Sequence, residues 1–164
     1  MARKTNRADE LTDLEMQVLR QFRLIYGSVK QHFRDVEKQC GISGSQLWLL
    51  REVDTTPGTG VSRLAERLSI HQSTCSLLVE KLVGADLVSK TRSAEDQRRV
   101  GLEVTPTGKQ LLKTAPGPAE GILPEALKQL PDDTLQTLNA NLDQLIGHLT
   151  LRNENDAEKP LADI

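Results

Sequence analysis

The sequence predicts a mainly α-helical chain with one small β-hairpin. Three observations predict it. Apolar residues recur at steps of three and four over long stretches of the 164 residues, the period of an amphipathic helix. Strict alternation of apolar with polar residues falls at Val100, Leu102 and Val104. A charged turn, Arg92 to Arg99, stands just before that alternating run.

Residues 1–10 are polar and are expected to form a mobile tail. From Leu11 to about Gln39, Leu11, Leu14, Val18, Phe22, Ile25, Val29, Phe33 and Val36 keep the helical step, which predicts one long amphipathic helix. Met16, Leu19 and Tyr26 lie off that stripe and widen the apolar surface. So wide a surface on a small chain calls for a partner subunit as well as a core of its own. Gly41 suits a left-handed C-cap. Ser43 and Gln46 fit a capping box opening a helix through Leu47, Trp48, Leu50 and Val53. Thr55-Thr56-Pro57-Gly58 breaks it.

A short helix follows from about Gly60 to Ser69, with Val61, Leu64, Ala65 and Leu68 facing inward. The small Ala65 lets the next helix cross closely. Ile70 and His71 make the turn, and a helix from about Gln72 to Ala85 buries Cys75, Leu78, Val79 and Leu82. Gln72, Ser73, Thr74, Ser76 and Leu77 are left on the N-terminal and outer side. Two helices joined by a tight turn and followed by a basic hairpin make a winged helix-turn-helix. Such a module sets its second helix in the major groove of double-stranded DNA and can lay the hairpin along the minor groove.

The residue types suit that task. Gln pairs with adenine, Ser and Thr reach bases or phosphates, and Leu meets a thymine methyl. Lys81, Lys90, Arg92, Asp96, Arg98 and Arg99 complete the expected DNA-contacting set. An arginine at the hairpin tip suits the enhanced negative potential of a narrow minor groove, and Asp96 can orient it by a charge-assisted hydrogen bond.

Beyond the hairpin, Thr105 can cap a helix with Pro106 in its first turn. Ala115-Pro116-Gly117-Pro118 should kink or break that helix. Apolar residues resume at Ile122, Leu123, Ala126, Leu127 and Leu130. After Pro131-Asp132-Asp133, a last helix carries Leu135, Leu138, Leu142, Leu145, Ile146 and Leu149. This stripe is expected to dock in a homodimer interface. Residues 151–164 read as a flexible acidic tail. The expected organisation is a tail (1–10), a single domain (11–150) and a tail (151–164). Within the domain, dimerisation helices span about 11–40 and 105–150, and the DNA module about 43–104.

Charge supports the division. Residues 61–113 hold nine Lys/Arg against six Asp/Glu, whereas residues 114–164 hold three against nine. Four aromatic residues, Phe22, Tyr26, Phe33 and Trp48, are too few for a binder that stacks single-stranded bases. Cys40 and Cys75 form no disulfide framework and no zinc quartet. No apolar run is long enough to span a membrane, the N-terminal stretch lacks a signal-peptide core, and a cytoplasmic location is expected. His32, His71 and His148 lie on separate elements without metal-ligand spacing, and no glycine-rich phosphate loop occurs. Neither enzymatic activity, a metal nor a cofactor is expected.

Over residues 61–108 the chain resembles the MarR family of winged helix-turn-helix bacterial transcription regulators. The resemblance is carried by LAERL, by STCSLLVEKL, by Asp96 and Arg98 as an Asp-x-Arg wing pair, and by Val104-Thr105-Pro106-Thr107-Gly108. As an order of elements it extends over roughly residues 11–150. It implies a homodimer whose first and last helices interlock, bound to a pseudo-palindromic operator and usually repressing. It further implies that Thr74 and Ser76 are the polar pair of the recognition helix and Arg98 the minor-groove arginine. Three positions depart from the family pattern: His71 replaces a small N-cap residue, Leu77 an Arg or Asn, and Asp86 a glycine.

A small-molecule effector is the commoner theme in that family. A cleft between the first helix, the Trp48 helix and the broken helix after Thr105 is its expected place, with Tyr26, His32 and Trp48 as candidate wall residues. Two other readings stand beside this one: a thiol-based redox-sensing regulator using Cys40 or Cys75, and a winged-helix module that binds protein without DNA.

Overall fold

A computed structural model describes residues 7–92 and 100–164. The elements in chain order are α1 (Arg7–Cys40), α2 (Gly44–Thr55), α3 (Val61–Leu68), α4 (Gln72–Gly84), β1 (Val88–Arg92), β2 (Val100–Val104), α5 (Pro106–Thr114), α6 (Ile122–Lys128) and α7 (Asp132–Gly147). Two 3-10 turns follow, Glu154–Glu158 and Leu161–Asp163. The chain is mainly helical with a two-stranded antiparallel hairpin, in agreement with the sequence.

Helix α1 starts at Arg7, inside the stretch expected to be a tail. Arg7-Ala8-Asp9-Glu10 are tolerated or good helix formers. Gly41 ends the helix at φ 68°, its N–H donating to the Glu37 carbonyl at 2.9 Å. The capping box of α2 is complete. Gln46 N–H donates to Ser43 Oγ at 3.3 Å, and Ser43 N–H donates to Gln46 Oε1 at 2.9 Å.

The core belongs to the middle of the chain. Leu47, Leu49, Leu50 and Val53 of α2, Leu64 of α3, Cys75 and Leu82 of α4, and Leu102 of β2 are fully buried. Each such leucine removes enough apolar surface from water to contribute about 1.5–3 kcal/mol. Val36 of α1 and Leu112 of α5 join the same cluster. The apolar stripe predicted for α4, namely Cys75, Leu78, Val79 and Leu82, is the buried one.

Two close approaches position the hairpin. Pro57-Gly58 does more than break α2. Thr59 bridges Leu102, with Gly58 N–H donating to the Leu102 carbonyl at 2.8 Å and Leu102 N–H to the Thr59 carbonyl at 3.1 Å. This adds a third strand-like edge that the sequence reading did not foresee. At Gly108, a Cβ would lie 2.3 Å from the Leu87 carbonyl oxygen, so only glycine lets α5 sit against the start of the hairpin. Thr105 caps α5 as expected, accepting from Gly108 N–H at 3.0 Å.

Helix α5 ends at Thr114, ahead of Pro116 and Pro118. Helix α7 has no buried residue. The end of the chain departs from the expected mobile acidic tail. Pro160 is buried, and the turn Leu161–Asp163 packs on α2. Its acidic residues hid the fact that Pro160, Leu161 and Ala162 form a short apolar anchor.

Candidate nucleic-acid interface

The site is built on the two faces of α4. With Cys75, Leu78, Val79 and Leu82 held in the core, Gln72, Ser73 and Ser76 are exposed and Thr74 is half-buried. Leu77 is 65% exposed, so it is an outward apolar contact and not part of the core. The turn before α4 is made by Ser69 in the left-handed region at φ 51°, while Ile70 N–H donates to the Ala65 carbonyl at 3.0 Å. This sets α3 against α4, and Arg67 of α3 forms an ion pair with Glu52 of α2.

His71 occupies the N-cap of α4, but its side chain makes no cap hydrogen bond. Its ring Nε2 lies 2.7 Å from Glu158 Oε2, and its N–H donates to the Glu158 carbonyl at 3.3 Å. Ser62, Glu66, Ser69, Gln72 and Glu158 line one open groove between α3 and α4. Ser62, Glu66 and Glu158 were missed from sequence. Ser62 lies one step into α3 and was findable; nothing local relates Glu158 to His71.

Lys81 is exposed in the last turn of α4. Lys90 on β1 is exposed and ion-paired to Glu80 of α4, which ties the hairpin to that helix. Arg92 ends β1. Asp96, Arg98 and Arg99 lie outside the described residues. Asp86 takes φ 56°, a left-handed conformation that Asp tolerates better than most residues. This accounts for its standing where a glycine is common. Thr105 Oγ1 donates to its carbonyl at 2.7 Å.

The three cleft candidates are not brought together. Trp48 lines a cleft with Phe33, Gly44, Ser45 and Pro124, and the chain's own Pro160, Leu161 and Ala162 fill it. About 30 Å³ is left, far below the few hundred that a small organic ligand needs. His32 is buried beside Phe33, hydrogen-bonded to the Pro118 carbonyl, and desolvation holds its pKa below the ordinary value. Tyr26 is exposed, with Lys30 Nζ 5.2 Å from its ring centroid. Ser45 Oγ and His32 Nε2 are buried without a hydrogen-bond partner among the described residues.

Both thiols are disfavoured as thiolates. Cys75 is fully buried with Sγ 3.5 Å from the Val61 carbonyl, and burial pushes its pKa up to about 11. Burial also raises Cys40. Among the described residues, no three His, Cys, Asp or Glu side chains are placed to hold a metal, and no helix is long and apolar enough to cross a membrane.

A helix-turn-helix with an outward polar α4 and an adjoining hairpin defines a winged-helix protein. Residues 42–100 match the family model described as MarR family, so that part of the chain is similar to this family. It is 28% identical over 102 residues to the HTH-type transcriptional repressor MdtR of Bacillus subtilis, a match covering 62% of this chain and 63% of that protein. It is 26% identical over 131 residues to a putative transcriptional regulatory protein for the hcr operon of Thauera aromatica, covering 80% and 75%. The solved structure of the transcriptional regulator BldR from Sulfolobus solfataricus superposes with a TM-score of 0.50 at 25% identity, over 88% of this chain and all of that one.

Proposed function

We propose that the protein is a transcription regulator that binds double-stranded DNA as a homodimer, represses from a pseudo-palindromic operator and is relieved by a small-molecule effector. The observation that carries this reading is the outward face of α4: Gln72, Ser73, Ser76 and Leu77 project from a helix locked into the core by its opposite face. Gln72 and Leu77 are the base-reading side chains, and Ser73, Thr74, Lys81, Lys90 and Arg92 hold phosphates. Arg98, oriented by Asp96, enters the minor groove, with Arg99 beside it. Repression is favoured by the Bacillus relative, which is described as a repressor.

The dimer is supported by an apolar groove lined by Leu14, Val18, Leu19 and Phe22 of α1 and Leu145 of α7. A second copy covering this face would place two α4 helices on one DNA, at a spacing of about one turn, ~34 Å. The raised thiol pKa values weigh against the redox alternative.

Selection of bound duplexes from fragmented source DNA tests the reading. The expected outcome is a recovered two-fold-related sequence, with binding lost in Gln72→Ala or Arg98→Ala protein that remains folded and dimeric. Unchanged promoter binding by Arg98→Ala would refute the minor-groove role. Absence of any enriched duplex would favour a protein-binding module instead.

A further inference from the structure

Within Leu151–Ile164, Glu158 meets the N-cap residue of α4, His71, at the edge of the candidate DNA interface. The N-terminal end of a helix attracts anions through its free N–H groups and dipole. At α4 that end is occupied by Glu158: its carboxylate lies 2.7 Å from His71 Nε2 and its carbonyl accepts the His71 N–H. Glu158 also lines the groove that holds Gln72. The contact is anchored by a separate one. Pro160 is buried, and Pro160, Leu161 and Ala162 close the cleft of Phe33, Gly44, Ser45 and Trp48. Gly44 makes the bed for this anchor, since a Cβ there would collide with the Phe33 ring and lie 3.3 Å from Ala162 Cβ. The segment's two cations are already engaged, Lys159 with Asp156 at 2.7 Å and Arg152 with Glu154 at 3.3 Å. The side chain that the segment sets against the start of α4 is the carboxylate of Glu158.

We infer that Leu151–Ile164 is an intramolecular competitor of DNA, seated by Pro160–Ala162 in the α1–α2–α6 cleft and covering the N-terminal end of α4 through Glu158 and His71. Glu158 covers the N-cap residue of α4, so DNA that approaches this end of the helix must displace the segment. This inference rests on the DNA-binding reading above and adds its regulation by the chain itself.

The test uses the full chain with two substitutions and two readouts. Ala162→Asp puts a carboxylate into the apolar cleft and unseats the anchor; Pro160→Asp is the second unseating variant, should the first fail to fold. Glu158→Gln weakens only the contact with His71. Trp48, the one tryptophan of the chain, reports seating through its quenching by acrylamide. DNA affinity is measured on a duplex selected by the wild-type protein and on a mixed-sequence duplex.

Ala162→Asp is expected to make Trp48 more quenchable and to tighten DNA binding about 5-fold or more, because the competing state is removed. Glu158→Gln is expected to tighten it about 2-fold, the scale of an exposed ion pair. A general charge effect predicts the opposite for Ala162→Asp, which adds a negative charge. An exposed Trp48 with unchanged or weaker DNA binding overturns the inference. Unchanged Trp48 quenching in both unseating variants overturns it too. If no protein, wild type included, retains either duplex while Trp48 responds, the DNA-binding reading is what fails, and the competitor role falls with it.

Discussion

The winged-helix module and the helices that flank it spend their apolar residues differently. Across residues 42–104 the leucines other than Leu77 are inside: Leu47, Leu49, Leu50, Leu64, Leu82 and Leu102 show no exposure. On α1 and α7 the same residue type is outside, with Leu14 at 55% and Leu145 at 43% exposure. The amphipathic pattern is equally regular in both regions, so pattern alone does not say whose core a stripe belongs to. The module satisfies its stripes within one chain, whereas the flanking helices leave theirs exposed.

The largest expected effect breaks the module. Leu82→Ala leaves a cavity at the crossing of α2 and α4 and should cost about 2–5 kcal/mol in denaturant unfolding. The same truncation at Leu145 should cost little at high dilution and more as protein concentration rises, because its burial would need the second copy. Phe22→Asp sharpens this further. It should halve the mass by light scattering while the module keeps its unfolding transition, and an unchanged mass would remove α1 from the interface.

Gly108→Ala comes next, at about 1–3 kcal/mol, since the new methyl group meets the Leu87 carbonyl and α5 must shift off the hairpin. His32 gives a smaller, pH-dependent effect. Burial favours its neutral ring, so its folded pKa lies below the ordinary ~6.5. The resulting stabilisation is present above about pH 6.5 and is lost as pH falls through the folded value. His32→Gln should flatten that acid slope, and an identical slope would show that other groups carry it. The smallest effect is expected at Asp86→Gly. It relaxes the left-handed backbone and should change stability by less than about 1 kcal/mol, whereas Asp86→Val should be clearly destabilising.

Much of the fold was legible because its signals are local. The Ser43–Gln46 capping box, the Thr105-Pro106 start of α5 and the 3-1-3 spacing of Cys75, Leu78, Val79 and Leu82 each lie within one or two helical turns. The exposed set Gln72, Ser73, Ser76 and Leu77 follows from that spacing. The Thr59–Leu102 bridge was not legible, because a backbone pairing across the module leaves no mark on side-chain type. The proposed wall of Tyr26, His32 and Trp48 came from the order of elements, and order does not set the rotation of α1. That rotation buries His32 and leaves Tyr26 in solvent.

By itself the sequence determined the boundaries of the helices from α2 to α7, the buried and outward faces of α4, and the alternation that makes the hairpin. Periodicity and capping act between residues a few positions apart, which is why they can be read in one dimension. Only the tertiary structure decided that Pro160–Ala162 seat beside Trp48 and that Glu158 meets His71. Those contacts join distant parts of the chain through apolar burial and one hydrogen-bonded pair, interactions that carry no sequence period.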